Sequence, residues 1–203
     1  MQGRMVTWSM ASVIVAAACI FLSCSASVAH GRRFVRSSSY DEPCKEMRLY
    51  LHDILYDYSN STSNSTSAAV TKPTALSTAV SKSGYFFGRV VVFNDPMTEG
   101  RALPPSLEET TVRAQGLYLY DKKEDYSAWL AFSIVFNSTA HRGTLNLMGA
   151  DPLAEKTRDI SVVGGTGDFF MSRGVATLRT DAFEGFTYFR LQMDIKLYEC
   201  YVV

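Results

Sequence analysis

From residue 46 onward the chain is a succession of strand-like segments, with no stretch of helical periodicity. Runs of five to a dozen residues rich in Val, Phe, Tyr, Thr and Leu recur at roughly 46–56, 84–93, 111–120, 126–136, 143–148, 157–163, 169–179 and 186–198, separated by turn residues. Eight such strands in a chain of one-domain size predict an all-β, eight-stranded antiparallel up-and-down β-barrel, which leaves no exposed sheet edge. A sandwich is the structural alternative. A barrel of this size is just wide enough to be filled by side chains or to hold a small ligand.

Period-two phasing assigns faces. In the first strand Met47, Leu49, Leu51, Asp53 and Leu55 share a face, so Asp53 interrupts an apolar row. A carboxyl there loses hydration, which favours its neutral form and makes it a candidate proton donor. The alternative is an acid paired with a nearby Arg or with backbone. In the third strand Ala114 and Gly116 share a face with Tyr118 and Tyr120, leaving room beside the phenolic hydroxyls. In the last strand Phe189, Leu191, Met193, Ile195 and Leu197 form an unbroken apolar row suited to core, lumen or subunit interface.

The N-terminus reads as a secretory signal. Arg4 precedes a short apolar run over residues 13–22, followed by the small residues 25–29. Cleavage is expected after Ala29, with Ala26 as second choice, giving a signal peptide over 1–29, a flexible extension over 30–43 and a barrel domain over 44–203. The run is short of the roughly 20 apolar residues that span a bilayer. Cys19 and Cys24 leave with the signal, and Cys44 and Cys200 remain at the two ends of the domain. In an oxidising compartment they most simply pair, two buried free thiols being the alternative. The sequons at Asn60, Asn64 and Asn137 are then credible glycan acceptors, with Asn64 favoured over its close neighbour Asn60. Lys plus Arg equals Asp plus Glu at 20 each, so net charge makes no case for nucleic acid or an anionic membrane. Residues 59–83 and 95–109 read as loops.

Other motifs are weaker. Asp151 precedes Pro152 at a strand end, where an acid is a common turn former. Arg158 opens the next strand and could orient an acid or a phenol oxygen. Residues 164–167, Gly-Gly-Thr-Gly, lack the Lys and the following helix that a phosphate-binding loop needs, so a tight turn is expected. His52 and His141 are far apart in sequence and neither has an evident nucleophile, so hydrolase triads and metal sites are poorly supported.

Four ordered blocks resemble the signature segments of the plant dirigent family: residues 52–55 (His-Asp-Ile-Leu), 92–100, 113–118 and 162–169. The resemblance runs from Cys44 to Tyr201. Residues 136–151 and 193–201 look most like the lignan-forming, pinoresinol-directing subgroup. Asn94, where many members have Asp, and the segment 101–103 depart from the pattern and touch only the rim.

What the resemblance implies is specific. The fold is an antiparallel barrel of the allene-oxide-cyclase and lipocalin-like kind, assembled as a homotrimer in the apoplast, with no cofactor and no metal. A separate laccase or peroxidase makes coniferyl alcohol radicals. The barrel binds two and directs 8–8′ coupling to one pinoresinol enantiomer, the (−) form by resemblance. Asp53 and Asp151 correspond to acids that protonate the quinone methide. Tyr118, Arg158, Tyr120 and Thr166 correspond to polar substrate contacts, Cys44 and Cys200 to the family disulfide, and Asn64 and Asn137 to its glycosylation positions. The protein has no oxidative activity of its own and serves as a stereo-directing auxiliary. Two rivals are a passive barrel carrying a phenolic or lipid, and an isomerase like the allene oxide cyclases, which a secretory signal argues against.

Overall fold

The computed structural model describes residues 33–55, 64–72, 74–75, 86–185 and 187–202. The expected signal peptide, its expected cleavage site and Asn60 lie outside these. Ten strands follow in order: β1 (Arg33–Arg36), β2 (Lys45–Ile54), β3 (Ser67–Ala69), β4 (Val90–Thr98), β5 (Val112–Leu119), β6 (Ser127–Asn137), β7 (Arg142–Pro152), β8 (Arg158–Gly167), β9 (Arg173–Glu184) and β10 (Tyr188–Val202). The eight strands read from the sequence are β2 and β4–β10. Each of β4 to β8 pairs with the next, β9 pairs with β10, β10 with β2 and β2 with β4. All pairings are antiparallel, and the sheet closes into an eight-stranded barrel.

One position of the barrel is shared by three strands. Within the stretch expected to be a flexible extension, β1 pairs with the tail of β10, Arg36 opposite Glu199, in the lane that β2 takes further along. At its other end β2 stops at Ile54, and β3 resumes its place beside β4. Ser67 lies opposite Phe93, where Leu55 would lie had the β2–β4 register of Leu51 and Met97 run on. The Thr66 amide donates to the Ile54 carbonyl and the Leu55 amide to the Thr187 carbonyl, so both ends of this excursion are tied down.

Three further expectations change. β3 falls within residues 59–83, where the sequence suggests a loop. β4 runs through Pro96 to Thr98, where the sequence suggests a loop from residue 95. The Asn94 amide donates to Thr66 on the β2–β3 side, so the missing amide of Pro96 faces the fork where β2 leaves β4 and no ladder bond is needed. Residues 164–167 are not a tight turn but the end of β8, with Gly165 opposite Leu145 and Gly167 opposite Gly143. Gly167 has φ of 62°, and Gly165 answers to crowding. A Cβ on Gly165 would stand 2.3 Å from the Phe169 carbonyl oxygen and 2.6 Å from that of Thr144. The chain reverses after β8, where Met171 has φ of 52°.

The inward row of β10 is core at one end and cavity wall at the other. Met193, Ile195 and Leu197 pack against Ile134, Leu145, Leu147, Ile160 and Leu178, all at most 2 % exposed, and fill one half of the barrel. At that end the Cys44–Cys200 disulfide ties the start of the domain to its last strand, with Cα atoms 6.4 Å apart. Closing a loop of 156 residues stabilises by about 5 kcal/mol in the chain-entropy picture. Phe189 and Leu191, at the start of β10, belong to the open half.

Candidate functional site

The open half holds a cavity of about 450 Å³, within the range of small-molecule sites. Its wall is aromatic on one side. Tyr118 and Tyr120, two apart at the end of β5, meet edge to face at 5.8 Å, and Tyr126 stacks on Tyr120 at 5.6 Å. Burial holds the Tyr118 and Tyr120 phenols well above the usual tyrosine range, assisted by nearby carboxylates at Tyr118 and mainly by Tyr126 at Tyr120. Both therefore face the cavity as protonated hydroxyls. Ala128, Leu130, Leu153 and Leu191 supply apolar surface, and Phe183, 61 % exposed, stands at the mouth. A second, smaller recess of about 50 Å³ shares Tyr118, Tyr120, Tyr126, Phe183 and Phe189 with the first.

The same cavity is lined by a buried ion pair. Asp151 at the end of β7 and Arg158 at the start of β8 have side chains 3 % and 1 % exposed, with Arg158 Nε 2.5 Å from Asp151 Oδ1. Arg158 Nη1 donates to Thr180 Oγ1 at 3.1 Å and to the Glu155 carbonyl at 3.3 Å. Arg158 Nη2 is buried and has no hydrogen-bond partner among the described residues. A buried guanidinium donor without an acceptor is costly unless a ligand supplies one. The site therefore presents one fixed cationic donor, two phenolic donors and apolar walls, which suits a planar molecule with an oxygen at one end.

The structure brings Tyr118, Tyr120, Asp151 and Arg158 together on one cavity wall. Asp53 is 1 % exposed and does not line the cavity. It sits at the β2–β3 fork, where the Ser67 hydroxyl donates to its Oδ1. Burial raises its pKa from 3.8 to about 7, against the opposing pull of the Ser67 hydrogen bond. Thr166 lies elsewhere. It is exposed near the far end of β8, roughly 26 Å along the strand from Arg158, with its hydroxyl 2.8 Å from that of Thr144. The threonine of the site is Thr180, which continues the inward row of Ala176 and Leu178 in β9. Asp95 is the second residue that the motif reading missed as a site group. It continues the inward row of Val91 and Phe93, and it is 1 % exposed.

The space expected beside the tyrosines is taken up by packing. A Cβ on Gly116 would lie 2.3 Å from the Ala131 carbonyl oxygen and 2.4 Å from Phe132 Cβ, so this glycine lets β6 approach β5. His52 is outside the barrel wall's cavity face and structural in character. Its Nε2 is 2.7 Å from Thr98 Oγ1, which itself donates to Gly100, and its Nδ1 is 2.9 Å from the Tyr188 hydroxyl. Burial, with Arg190 nearby, lowers its pKa to about 4, so it stays neutral. Asn64 and Asn137 are both exposed.

Comparison with known proteins agrees with this geometry. The family model described as dirigent-like protein matches residues 44–198. The chain is 51 % identical to Dirigent protein 5 of Arabidopsis thaliana over 185 residues, covering 90 % of this chain and 93 % of that one. It is 49 % identical to a Dirigent protein of Sinopodophyllum hexandrum over 185 residues, covering 90 % and 92 %. Among solved structures, the pterocarpan synthase dirigent protein GePTS1 superposes with a TM-score of 0.64 at 22 % identity, covering 84 % of this chain and 90 % of that one, a likeness of fold. A closed antiparallel barrel with a half-open interior, its ends joined by Cys44 and Cys200, thus belongs to the dirigent family, whose members direct the stereochemistry of radical coupling.

Proposed function

We propose that this chain directs the 8–8′ coupling of coniferyl alcohol radicals, supplied by a separate secreted laccase or peroxidase, to one pinoresinol enantiomer, the (−) form, and then assists closure of the rings. The observation that carries this reading is the buried Arg158 Nη2, without a partner among the described residues, on a side chain that is fixed by Asp151 and Thr180 and lines an apolar, aromatic cavity. A phenol or phenoxyl oxygen accepts from it, and the ring lies against Tyr118, Tyr120 and Leu130. Radical coupling is fast in itself, so a protein need only fix which faces meet.

The coupled bis-quinone methide requires a proton at its carbonyl oxygen, and the alcohol that adds to the benzylic carbon must lose one. Asp151, held as the partner of Arg158, is assigned the proton transfer at the alcohol, and Asp53, behind Tyr118, the supply of protons to the quinone methide. Secretion to the apoplast with glycans on Asn64 and Asn137 fits the same reading. So does a homotrimer formed through the outer apolar row of Val92, Leu117, Ala131 and Met148, which lie opposite one another across β4 to β7. The test is coniferyl alcohol with an external one-electron oxidant and chiral chromatography of the products. A single enantiomer in excess supports the reading, and a racemic product at saturating protein overturns it.

A further inference from the structure

Beneath the cavity the barrel contains two carboxyl groups where one would already be costly. The β2–β4 register, carried two residues past the Leu51–Met97 pair, sets Asp53 opposite Asp95, at the fork where β2 leaves β4. Both are 1 % exposed. Ser67 donates to Asp53 Oδ1, while Asp53 Oδ2 and both oxygens of Asp95 have no hydrogen-bond partner among the described residues. The Thr66 hydroxyl comes near Asp95 without reaching hydrogen-bond geometry. Arg113, the cation that acts on Asp95, is committed to Asn94 and the Leu107 carbonyl. Two bare carboxylates cannot share such a place, because each loses hydration and repels the other. The phenols that feel the pair are Tyr118, whose hydroxyl is influenced by both carboxyls, and Tyr120, influenced by Asp53, and both rings are part of the cavity wall.

We propose that Asp53 and Asp95 act as one two-proton acid, in which Asp95 keeps its proton and donates a hydrogen bond to the Asp53 carboxylate left when Asp53 releases its own proton toward the cavity. The Asp53 O–H bond breaks, that proton forms the new O–H bond on the ligand oxygen, and the pair is left with one negative charge. A carboxylate that accepts a hydrogen bond from a neighbouring acid is far less costly than an isolated buried one. Asp95 is thus a positioning residue that lowers the cost of Asp53's deprotonation. Who receives the proton, a quinone methide oxygen, rests on the function proposed above. The pair itself does not.

Infrared spectroscopy of the secreted chain tests the pair directly, following the carbonyl stretch of protonated carboxyls across neutrality, with Asp53→Asn assigning the signal. Wild type should show one buried carboxyl releasing its proton near neutral pH and a second that holds its proton to higher pH. In Asp95→Leu the second signal should vanish and Asp53 should release its proton about one to two pH units higher, the worth of a lost hydrogen bond to a charged group. In Asp95→Asn, whose amide can still donate, the shift should be smaller, and this milder variant serves if the leucine form does not fold. Absence of any protonated carboxyl at neutral pH in wild type overturns the proposal. So does an Asp53 release that stays put or falls in the Asp95 variants. A racemic product from wild type would sink the coupling role and leave these spectra untouched. The two failures are therefore distinguishable.

Discussion

Removing one member of the Asp151–Arg158 pair should be far more damaging than removing both. With side chains 3 % and 1 % exposed and 2.5 Å between Nε and Oδ1, neither partner has water to fall back on. Arg158→Met leaves a buried carboxylate without its counter-ion, a loss of about 3–5 kcal/mol for a pair of this kind. That is a large share of the roughly 5–15 kcal/mol by which a domain is stable. Asp151→Leu leaves the guanidinium with only Thr180 and the Glu155 carbonyl, and should cost a similar amount. The double variant Asp151→Leu with Arg158→Met should cost much less than the sum, because an apolar pair of similar volume needs no partner. The two single variants differ in one respect. An orphaned aspartate can shed its charge by taking a proton, and an orphaned arginine cannot. Urea unfolding at neutral and acidic pH measures all three. The Arg158→Met deficit should shrink in acid relative to wild type, while that of Asp151→Leu should not shrink in this way. A deficit below about 1 kcal/mol for either single variant, or strict additivity in the double, would show that the pair is not the sealed anchor described.

The raised pKa of Asp53 makes stability fall with pH. The folded group, at about 7, holds its proton while the unfolded one, at 3.8, has lost it, so wild type should lose up to about 4 kcal/mol relative to Asp53→Asn as pH rises from about 4 to above 7. A pH-independent difference between the two in thermal unfolding would refute this. Gly116→Ala drives a methyl into the Ala131 carbonyl and Phe132, so a loss of about 1–3 kcal/mol and a blurred product ratio, through Tyr118 two residues on, are expected in calorimetry and chiral chromatography. Replacing Cys44 and Cys200 together by Ser should cost as much as about 5 kcal/mol, read as a lower urea midpoint. An unchanged midpoint would remove the bridge from the account of stability.

The eight strands were legible because each is long and alternates, and the bridge because removal of the expected signal would leave two cysteines. The site was legible wherever a polar residue interrupts an apolar period-two row at one strand end, the signal that exposes Asp53. The same signal was present for Asp95 after Val91 and Phe93, and for Thr180 after Ala176 and Leu178. Asp95 was masked by Pro96, which reads as a strand breaker. Only the departure of β2 makes that proline harmless, and no local pattern carries that information. Thr166 is named on motif likeness alone, which lacks the register that puts Arg158 and Thr166 at opposite ends of β8 and Thr180 beside Arg158. The glycines of residues 164–167 look like a turn because the crowding that requires glycine at Gly165 leaves no mark in sequence different from the positive φ that requires it at Gly167.

The shared lane of β2 and β3 also gives the barrel a graft point. The chain leaves at Leu55 and re-enters at Thr66 with its ends already clasped by backbone hydrogen bonds, so the strands on either side do not register how many residues are spliced between them. Because closure entropy grows only slowly with length, a fluorophore-bearing or affinity segment could be inserted there at little cost in stability. Such a reporter would sit beside Asp53, and it would follow events at the proton-holding end of the cavity without altering a residue of its wall.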